Sequence, residues 1–379
     1  MHAPASLDEA SALLRELAAR RKTVGITGGA SLRGPSAVPV DEVVSTRVLD
    51  RIVDYVPADQ IVTAQAGMTI AGLQAVLRES KQRLALDPPA PDRTTVGGAV
   101  AAASYGPLRT RYGTAKDVIV GMTIVRADGT LARGGGKVVK NVAGFDIPKL
   151  MVGTYGTLAM IGTVTFRLHP LPEAQKDIVF VGCDASALRR LCAAMTQAQL
   201  EPSAVYAVYD GERYAACVRF EGFPAGVAAQ CSAALALHPG DVREGASLRA
   251  VHDLARTSGD VQLKVTAPPS MVEDLHARAI APLHAALLHA RSVIYPVTGA
   301  GFLGGDCSDL PRVLDALTQA RAWAESVGGT LVVDEAPPRL RAAFDSWGTP
   351  PPAFALMRAL KERFDPDRRL NPGGFVGGL

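Results

Sequence analysis

A chain of 379 residues exceeds what one hydrophobic core usually fills, because single cores stop growing near ~250–300 residues, so two domains are expected. The 40 basic and 37 acidic residues leave a formal charge of +3 spread along the chain, without the basic stripe that neutralising nucleic-acid phosphates requires, so a nucleic-acid partner is not expected. With 48% hydrophobic and 20% charged residues the composition is that of an ordinary globular protein, which argues against disordered and fibrous classes.

The chain begins Met1-His2-Ala3-Pro4 and reaches Asp8 and Glu9 without the basic start and apolar run of a signal peptide. Its longest uncharged stretch, Leu150 to Phe166, is shorter than the ~20 residues of a membrane-spanning helix and is punctuated by Gly153, Gly156 and Gly162, so it reads as buried strand and turn. The cysteines Cys183, Cys192, Cys217, Cys231 and Cys307 form no C-x-x-C pair and read as reduced thiols of a cytosolic protein.

Ser6-Leu7-Asp8-Glu9 fits a capping box, and Leu13, Leu14 and Leu17 continue it as a helix to about Arg21. The β-branched run Thr23–Thr27 then delivers a first glycine loop, Gly28-Gly29-Ala30-Ser31-Leu32-Arg33-Gly34. Ile61–Ala64 reads as a strand, and Thr69 caps a helix through Leu73, Val76 and Leu77 that Asp87-Pro88-Pro89-Ala90-Pro91 cannot continue. A second glycine loop, Thr94-Thr95-Val96-Gly97-Gly98-Ala99, leads into a stretch of small residues up to Pro107. Val118–Val125 reads as a buried strand and Ala127-Asp128-Gly129-Thr130 as a hairpin turn. Pro170 and Pro172 mark a domain boundary. Beyond it, helices over Ala185–Ala198, Met271–His289 and Leu310–Ser326 alternate with strands such as Ala204–Tyr209 and Leu331–Asp334. The whole is α+β.

Three phosphate-binding readings compete for the glycine loops. Gly28-Gly29 lacks the spacing of the dinucleotide-binding G-x-G-x-x-G fingerprint. Gly134-Gly135-Gly136-Lys137 fails as a P-loop, because Val138 replaces the magnesium-binding Ser/Thr and Leu131 the first glycine. A backbone cradle without a helix remains, in which glycines allow close approach of N–H groups to an anion; ordinary turns explain the same residues.

In order along the chain, Ile26-Thr27-Gly28-Gly29-Ala30-Ser31, Asp87-Pro88-Pro89, Thr95-Val96-Gly97-Gly98-Ala99-Val100, Gly106-Pro107-Leu108-Arg109, and Tyr112-Gly113 with Asp117-Val118 resemble the FAD-binding domain of the vanillyl-alcohol oxidase and p-cresol methylhydroxylase superfamily. Gly135 to Asp146, Lys149-Leu150 and Gly153-Thr154-Tyr155-Gly156-Thr157-Leu158 narrow the resemblance to FAD-binding subunits of bacterial glycolate oxidase. Leu360 to Pro366 and Leu370-Asn371-Pro372-Gly373 are similar to the end of FAD-linked 2-hydroxy-acid oxidoreductases.

The resemblance implies a two-lobed FAD-binding domain over residues 1–172. It also implies an α+β cap or substrate domain over 173–379, whose segment 355–379 returns to the flavin. The backbone of Thr27, Gly28, Gly29, Ala30, Ser31 and Leu32, and of Thr95, Val96, Gly97 and Gly98, would hold the pyrophosphate. Pro88 would line the flavin channel, with Ser104, Arg109 and Gly113 along the flavin, Gly156 and Ile161 near the adenosine half, and the Asn371 amide at the isoalloxazine edge.

Ala30, Leu32, Ala103 and Tyr105 depart from the Gly, Lys, Gly and Ser more usual in the family, which opens the first loop less and removes a cation near the phosphates. Residues 20–168 contain neither the His nor the Cys that covalent flavin attachment uses, so the implied FAD is non-covalent. His276, His284 and His289 lack the spacing that stacks metal ligands on one helix face, and no His-rich substrate motif is found, so the catalytic base is unknown and no metal is expected. Tyr295–Gly301 and Lys137 with Lys140 read as a turn and as hairpin lysines, or as groups beside the flavin or its phosphates; Asn141–Asp146 favours a backbone turn at the cofactor.

The implied role is the FAD-binding subunit of a glycolate oxidase complex that oxidises glycolate to glyoxylate beside a catalytic FAD-linked subunit and an iron–sulfur subunit. Its location would be cytoplasmic, with peripheral membrane association through the complex. The alternatives are a free-standing FAD-dependent oxidoreductase of another hydroxylated substrate and a non-catalytic assembly subunit that keeps the fold.

Overall fold

The structure is a computed structural model that describes residues 1–31, 38–136, 145–238, 241–243 and 248–379. Contacts divide the chain into two compact units, the first comprising Met1–Gly106, Tyr112–Leu171 and Thr349–Leu379.

Helix α1 (Leu7–Ala19) starts where the Ser6 hydroxyl accepts from the Glu9 N–H at 3.1 Å, while the Glu9 carboxylate accepts from the Ala5 N–H at 2.9 Å. It stops short of Arg21, which turns the chain with φ +52°. Its buried Ala10, Leu14 and Leu17 recur at helical spacing and join Val24, Val44, Leu49 and Leu370 in one core. Strand β1 (Val24–Thr27) pairs in parallel with β2 (Glu42–Ser45), and Val24 also bridges Leu370 in parallel, so the C-terminal segment flanks the strand that ends at the first glycine loop.

β3 (Ile52–Val56) and β4 (Ile61–Gln65) lead to α2 (Ile70–Glu79), which Thr69 caps by accepting from the Gly72 N–H at 3.1 Å. The second glycine loop, read from the sequence as a cradle without a helix, opens helix α3 (Val96–Ala101), capped by Thr95. β5 (Ile119–Arg126) and β6 (Leu131–Gly135) join at the expected Asp128-Gly129 turn, where Gly129 takes φ +80° and the Asp128 carboxylate accepts from the Thr130 N–H at 2.9 Å. With β7 (Ala159–Arg167) these strands make an antiparallel sheet in the order β3-β4-β7-β5-β6. The helix Phe354–Phe364 belongs to the same unit.

The second unit comprises Pro107–Arg111 and Pro172–Gly348. Its antiparallel sheet contains β8 (Ala174–Cys183), β9 (Ala204–Tyr209), β10 (Tyr214–Gly222), β11 (Asp241–Arg243), β12 (Val261–Thr266), β13 (Leu288–Tyr295), β14 (Ala300–Asp306) and β15 (Thr330–Glu335). Their order is β11-β8-β10-β9-β13-β14-β12-β15. Leu188 and Leu191 of α4 (Ala185–Gln197) and Val313 and Leu317 of α5 (Leu310–Ser326) share one core with Ile178, Phe220, Leu263 and Leu331 of the sheet. The single helix expected over Met271–His289 is broken: a π-helical turn spans His276–Ile280, the following helix ends at Ala286, and Leu288 already pairs with Asp306 in β13. Strand pairing overrides the helix preference of Leu287-Leu288.

His252 is fully buried in this unit, with Nδ1 2.8 Å from an Asp253 carboxylate oxygen and Nε2 hydrogen-bonded to the Tyr295 hydroxyl. Burial, offset in part by the Asp253 hydrogen bond, pushes its pKa from the ordinary 6.5 down to about 3. The unfolded chain therefore takes up this proton first as pH falls, and stability present above pH 6.5 is lost progressively towards about pH 3. In urea titrations across that window, His252→Gln is expected to show a flatter loss of stability with acid than the parent; equal slopes would disprove the assignment.

Candidate cofactor site

A cavity of about 230 Å³ lies within the first unit between the two glycine loops, the loop at Tyr155-Gly156 and the C-terminal segment. Of the positions singled out in the sequence, Thr27, Gly28, Gly29, Ala30, Ser31, Thr95, Gly97, Gly98, Gly156, Ile161 and Asn371 line it. Ile26 and Tyr155, which the motifs contain without an assigned role, and Thr46, Ala66, Ala159 and Gly374, which no motif flagged, line it as well.

The loop glycines answer to one another before they answer to any ligand. A Cβ on Gly29 would lie 1.7 Å from the Arg93 carbonyl oxygen, and one on Gly28 2.4 Å from the Thr95 hydroxyl. A Cβ on Gly97 would meet the Ala66 Cβ at 2.8 Å. The first loop thus lies directly on the second, tied further by a 2.8 Å hydrogen bond between the Ser31 and Thr94 hydroxyls.

The loops differ in what they offer an anion. In the second, the Val96 N–H donates to the Met68 carbonyl at 2.8 Å, the Gly97 N–H to the Ala66 carbonyl at 2.8 Å, and the Gly98 N–H to the Thr95 hydroxyl at 3.1 Å. These donors, expected from the sequence to face a pyrophosphate, are hydrogen-bonded within the protein. In the first loop, the N–H groups of Gly28, Gly29, Ala30 and Ser31 have no hydrogen-bond partner among the described residues. Among the described residues no charged side chain lines the cavity, and amide donors without a partner are what an anionic group needs.

Asn371 fastens two walls together. Its side-chain oxygen accepts from the Ile26 N–H at 2.7 Å, and its amide nitrogen donates to the Tyr155 carbonyl at 2.6 Å. Its backbone N–H reaches the Val24 carbonyl at 2.8 Å, and a Cβ on Gly156 would come within 2.6 Å of its amide nitrogen. The amide expected at the isoalloxazine edge is engaged with protein backbone.

The remaining expected positions lie apart from this cavity. Val96, Pro88 and Ser104 are buried outside its lining. Gly113, at φ +76°, lies against the Asp117 carboxylate that accepts from the Thr114 N–H, and Arg109 groups with the second unit. Leu32, Lys137, Lys140 and Asn141–Gly144 lie outside the described residues. Asp146 accepts from the Lys149 N–H at 3.1 Å, capping the helix Ile147–Met151.

Residues 1–135 match the family described as FAD binding domain, and residues 341–374 the one described as FAD linked oxidases, C-terminal domain. Both matched segments are domains of FAD-linked oxidases. FAD is accordingly the cofactor, and the N–H groups of Gly28 to Ser31 suit its pyrophosphate. At about 230 Å³ the cavity takes only part of such a molecule, since pockets for drug-sized ligands run to ~300–1,000 Å³.

The chain is 33% identical to glycolate oxidase subunit GlcE of Escherichia coli over 175 residues, which are 45% of this chain and 50% of that protein. It is 24% identical to glycolate oxidase subunit GlcD of Bacillus subtilis over 412 residues, 98% of this chain and 87% of that protein. The match thus spans only half the length of the Escherichia coli subunit. In fold it resembles a solved alkyldihydroxyacetonephosphate synthase with a TM-score of 0.72 at 17% identity, covering 98% of this chain and 76% of the other. Among the described residues, no helix is long and apolar enough to cross a membrane.

Proposed function

We propose that this chain is the FAD-binding subunit of a glycolate oxidase complex, oxidising glycolate to glyoxylate and passing electrons to an iron–sulfur partner subunit. The observation that carries the proposal is the cavity lined by the first-loop amides and closed by Asn371, in a chain similar to two glycolate oxidase subunits. The N–H groups of Gly28 to Ser31 hold the pyrophosphate oxygens. Thr27, Thr95, Gly97, Gly98, Gly156 and Ile161 shape the channel and exclude water around them. Asn371 keeps the Ile26 and Tyr155 backbones at a fixed separation. The parts of Pro88, Ser104, Arg109 and Gly113 along the flavin rest on the family resemblance alone.

FAD supplies, when bound, a hydride acceptor that can release single electrons. Removing hydride from a 2-hydroxy acid also requires a base for the hydroxyl and a cation for the carboxylate. Among the described residues no titratable side chain lines the cavity, and these groups are assigned in this proposal to a catalytic FAD-linked partner subunit.

The test is the visible spectrum of the purified chain, alone and with the partner subunits, before and after glycolate. Flavin absorbance that acid precipitation releases into solution, and that glycolate bleaches only with partners present, is the expected result. Bleaching of the isolated chain would point to a free-standing oxidoreductase, and bound flavin that never bleaches to an assembly subunit. No flavin in any preparation would refute the cofactor reading itself.

A further inference from the structure

A second cavity, of about 220 Å³, lies in the first unit and shares a wall with the cofactor cavity. The loop Gly153–Leu158 gives Tyr155 and Gly156 to the first, and Gly153, Thr154, Thr157 and Leu158 to the second. The C-terminal segment is divided in the same way, with Gly374 in one lining and Phe375 in the other.

The chemistry of the second cavity is amphiphilic and one-signed. Leu150, Val152, Leu158, Met357, Leu360 and Phe375 make its apolar walls. Its inner polar side chains are already satisfied: the Thr154 hydroxyl donates to the Met151 carbonyl at 3.0 Å and the Thr157 hydroxyl to the Thr154 carbonyl at 2.7 Å. Lys361 spends its three donors on the Thr157 carbonyl, the Asp365 carboxylate and the Leu370 carbonyl. An apolar body therefore fits inside, where no polar side chain seeks a partner.

The other charged side chains of the lining, Lys116 and Lys149, are exposed lysines, and no acidic side chain is among the lining residues. Lys149 meets Asp146 at 3.2 Å, but both are more than half exposed and their attraction is screened. Lys116 has no ion pair among the described residues. Apolar walls beside the Lys116 ammonium and the screened Lys149 pair complement a single anionic head on an aliphatic body.

We propose that this cavity binds a small aliphatic carboxylate and that its occupancy is coupled to FAD through the loop Gly153–Leu158. The loop transmits because it is held rigidly: Gly153, Tyr155 and Gly156 have φ of +82°, +51° and +72°, Asn371 fixes the Tyr155 carbonyl and Lys361 the Thr157 carbonyl. Coupling of this kind is reciprocal, so the carboxylate changes FAD affinity by the factor by which FAD changes carboxylate affinity. The coupling rests on the FAD reading; the binding does not.

Calorimetric titration of octanoate into the full chain is expected to give a saturable single-site isotherm, with 1-octanol weaker by about tenfold. The double variant Lys116→Glu/Lys149→Glu, at exposed positions that leave folding intact, should weaken octanoate by about tenfold, and Met357→Trp should fill the cavity and abolish binding. Saturating octanoate should shift the FAD dissociation constant by about threefold or more. An isotherm that never saturates, or one that both variants leave unchanged, overturns the site, and is also the outcome if the groove receives a partner polypeptide. Saturable binding with unaltered FAD affinity overturns the coupling. Flavin content, read from visible absorbance on each sample, keeps failure here distinct from failure of the cofactor reading.

Discussion

Gly29→Ala is expected to yield a folded protein with little or no flavin. The added Cβ would lie 1.7 Å from the Arg93 carbonyl oxygen and 2.8 Å from its carbon. Both are backbone atoms, so no side-chain rotation relieves the clash and the first loop must lift from the second. Lifting breaks the Ser31–Thr94 hydrogen bond and scatters the amide donors of Gly28 to Ser31, the groups that face an anion. Overpacking of this kind costs ~1–3 kcal/mol or more. Taken from the bound geometry, that cost lowers FAD affinity by about 5- to 150-fold. The cores lie elsewhere, so far-ultraviolet dichroism and the urea midpoint of flavin-free protein should change little. Gly136→Ala is the control, because nothing lies within 4 Å of a Cβ there. Equal flavin content in the two variants would show that the interlocked loops do not set the cofactor site.

What was legible in the sequence were features that depend on a few neighbouring residues. The Ser6 and Glu9 cap, the Thr69 cap and the Asp128-Gly129 turn are each satisfied within about four residues, so composition and spacing suffice. The glycine loops were legible as glycines but not for their reason, because the atom that forbids a side chain at Gly29 belongs to the distant Arg93. Helix α3 was hidden for the opposite cause. Gly97 and Gly98 each cost ~1 kcal/mol relative to Ala in a helix, and burial of Val96, Ala99 and Val100 with the Thr95 cap outweighs them only in the folded protein.

Departures from the family pattern proved informative in a way spacing alone cannot be. Ala30 and Ala103, where relatives more often carry Gly, take φ of +50° and +47°. These are left-handed conformations in which an L side chain is strained, so the glycine preference reflects backbone geometry. His252 and Tyr295 were not paired at all by the sequence reading, because their hydrogen bond joins a helix to a strand whose proximity only the fold creates.

The same blindness concealed the residue expected to matter most for stability. Lys361 lies on the helix Phe354–Phe364 and Asp365 follows its end, and their side chains are 1% and 0% exposed. The ammonium donates to the Thr157 carbonyl at 2.6 Å, the Asp365 carboxylate at 2.8 Å and the Leu370 carbonyl at 3.1 Å, and Asp365 also accepts from the Leu370 N–H at 2.7 Å. Burial pulls the Lys361 pKa below its ordinary value, and Asp365 restores part of the loss. Lys361→Met should therefore leave a buried carboxylate without its cation and cost about 3–5 kcal/mol in urea unfolding. Lys361→Met/Asp365→Leu should recover much of that stability, because no charge is then stranded. Flavin affinity should stay low in both, since the tie from the helix to Thr157 and to the residue before Asn371 is gone. Removing the exposed counterpart in Arg20→Ala, whose partner Glu16 lies 3.2 Å away, should cost well under 1 kcal/mol. If Lys361→Met costs no more than Arg20→Ala, the buried pair is not what holds the C-terminal wall in place.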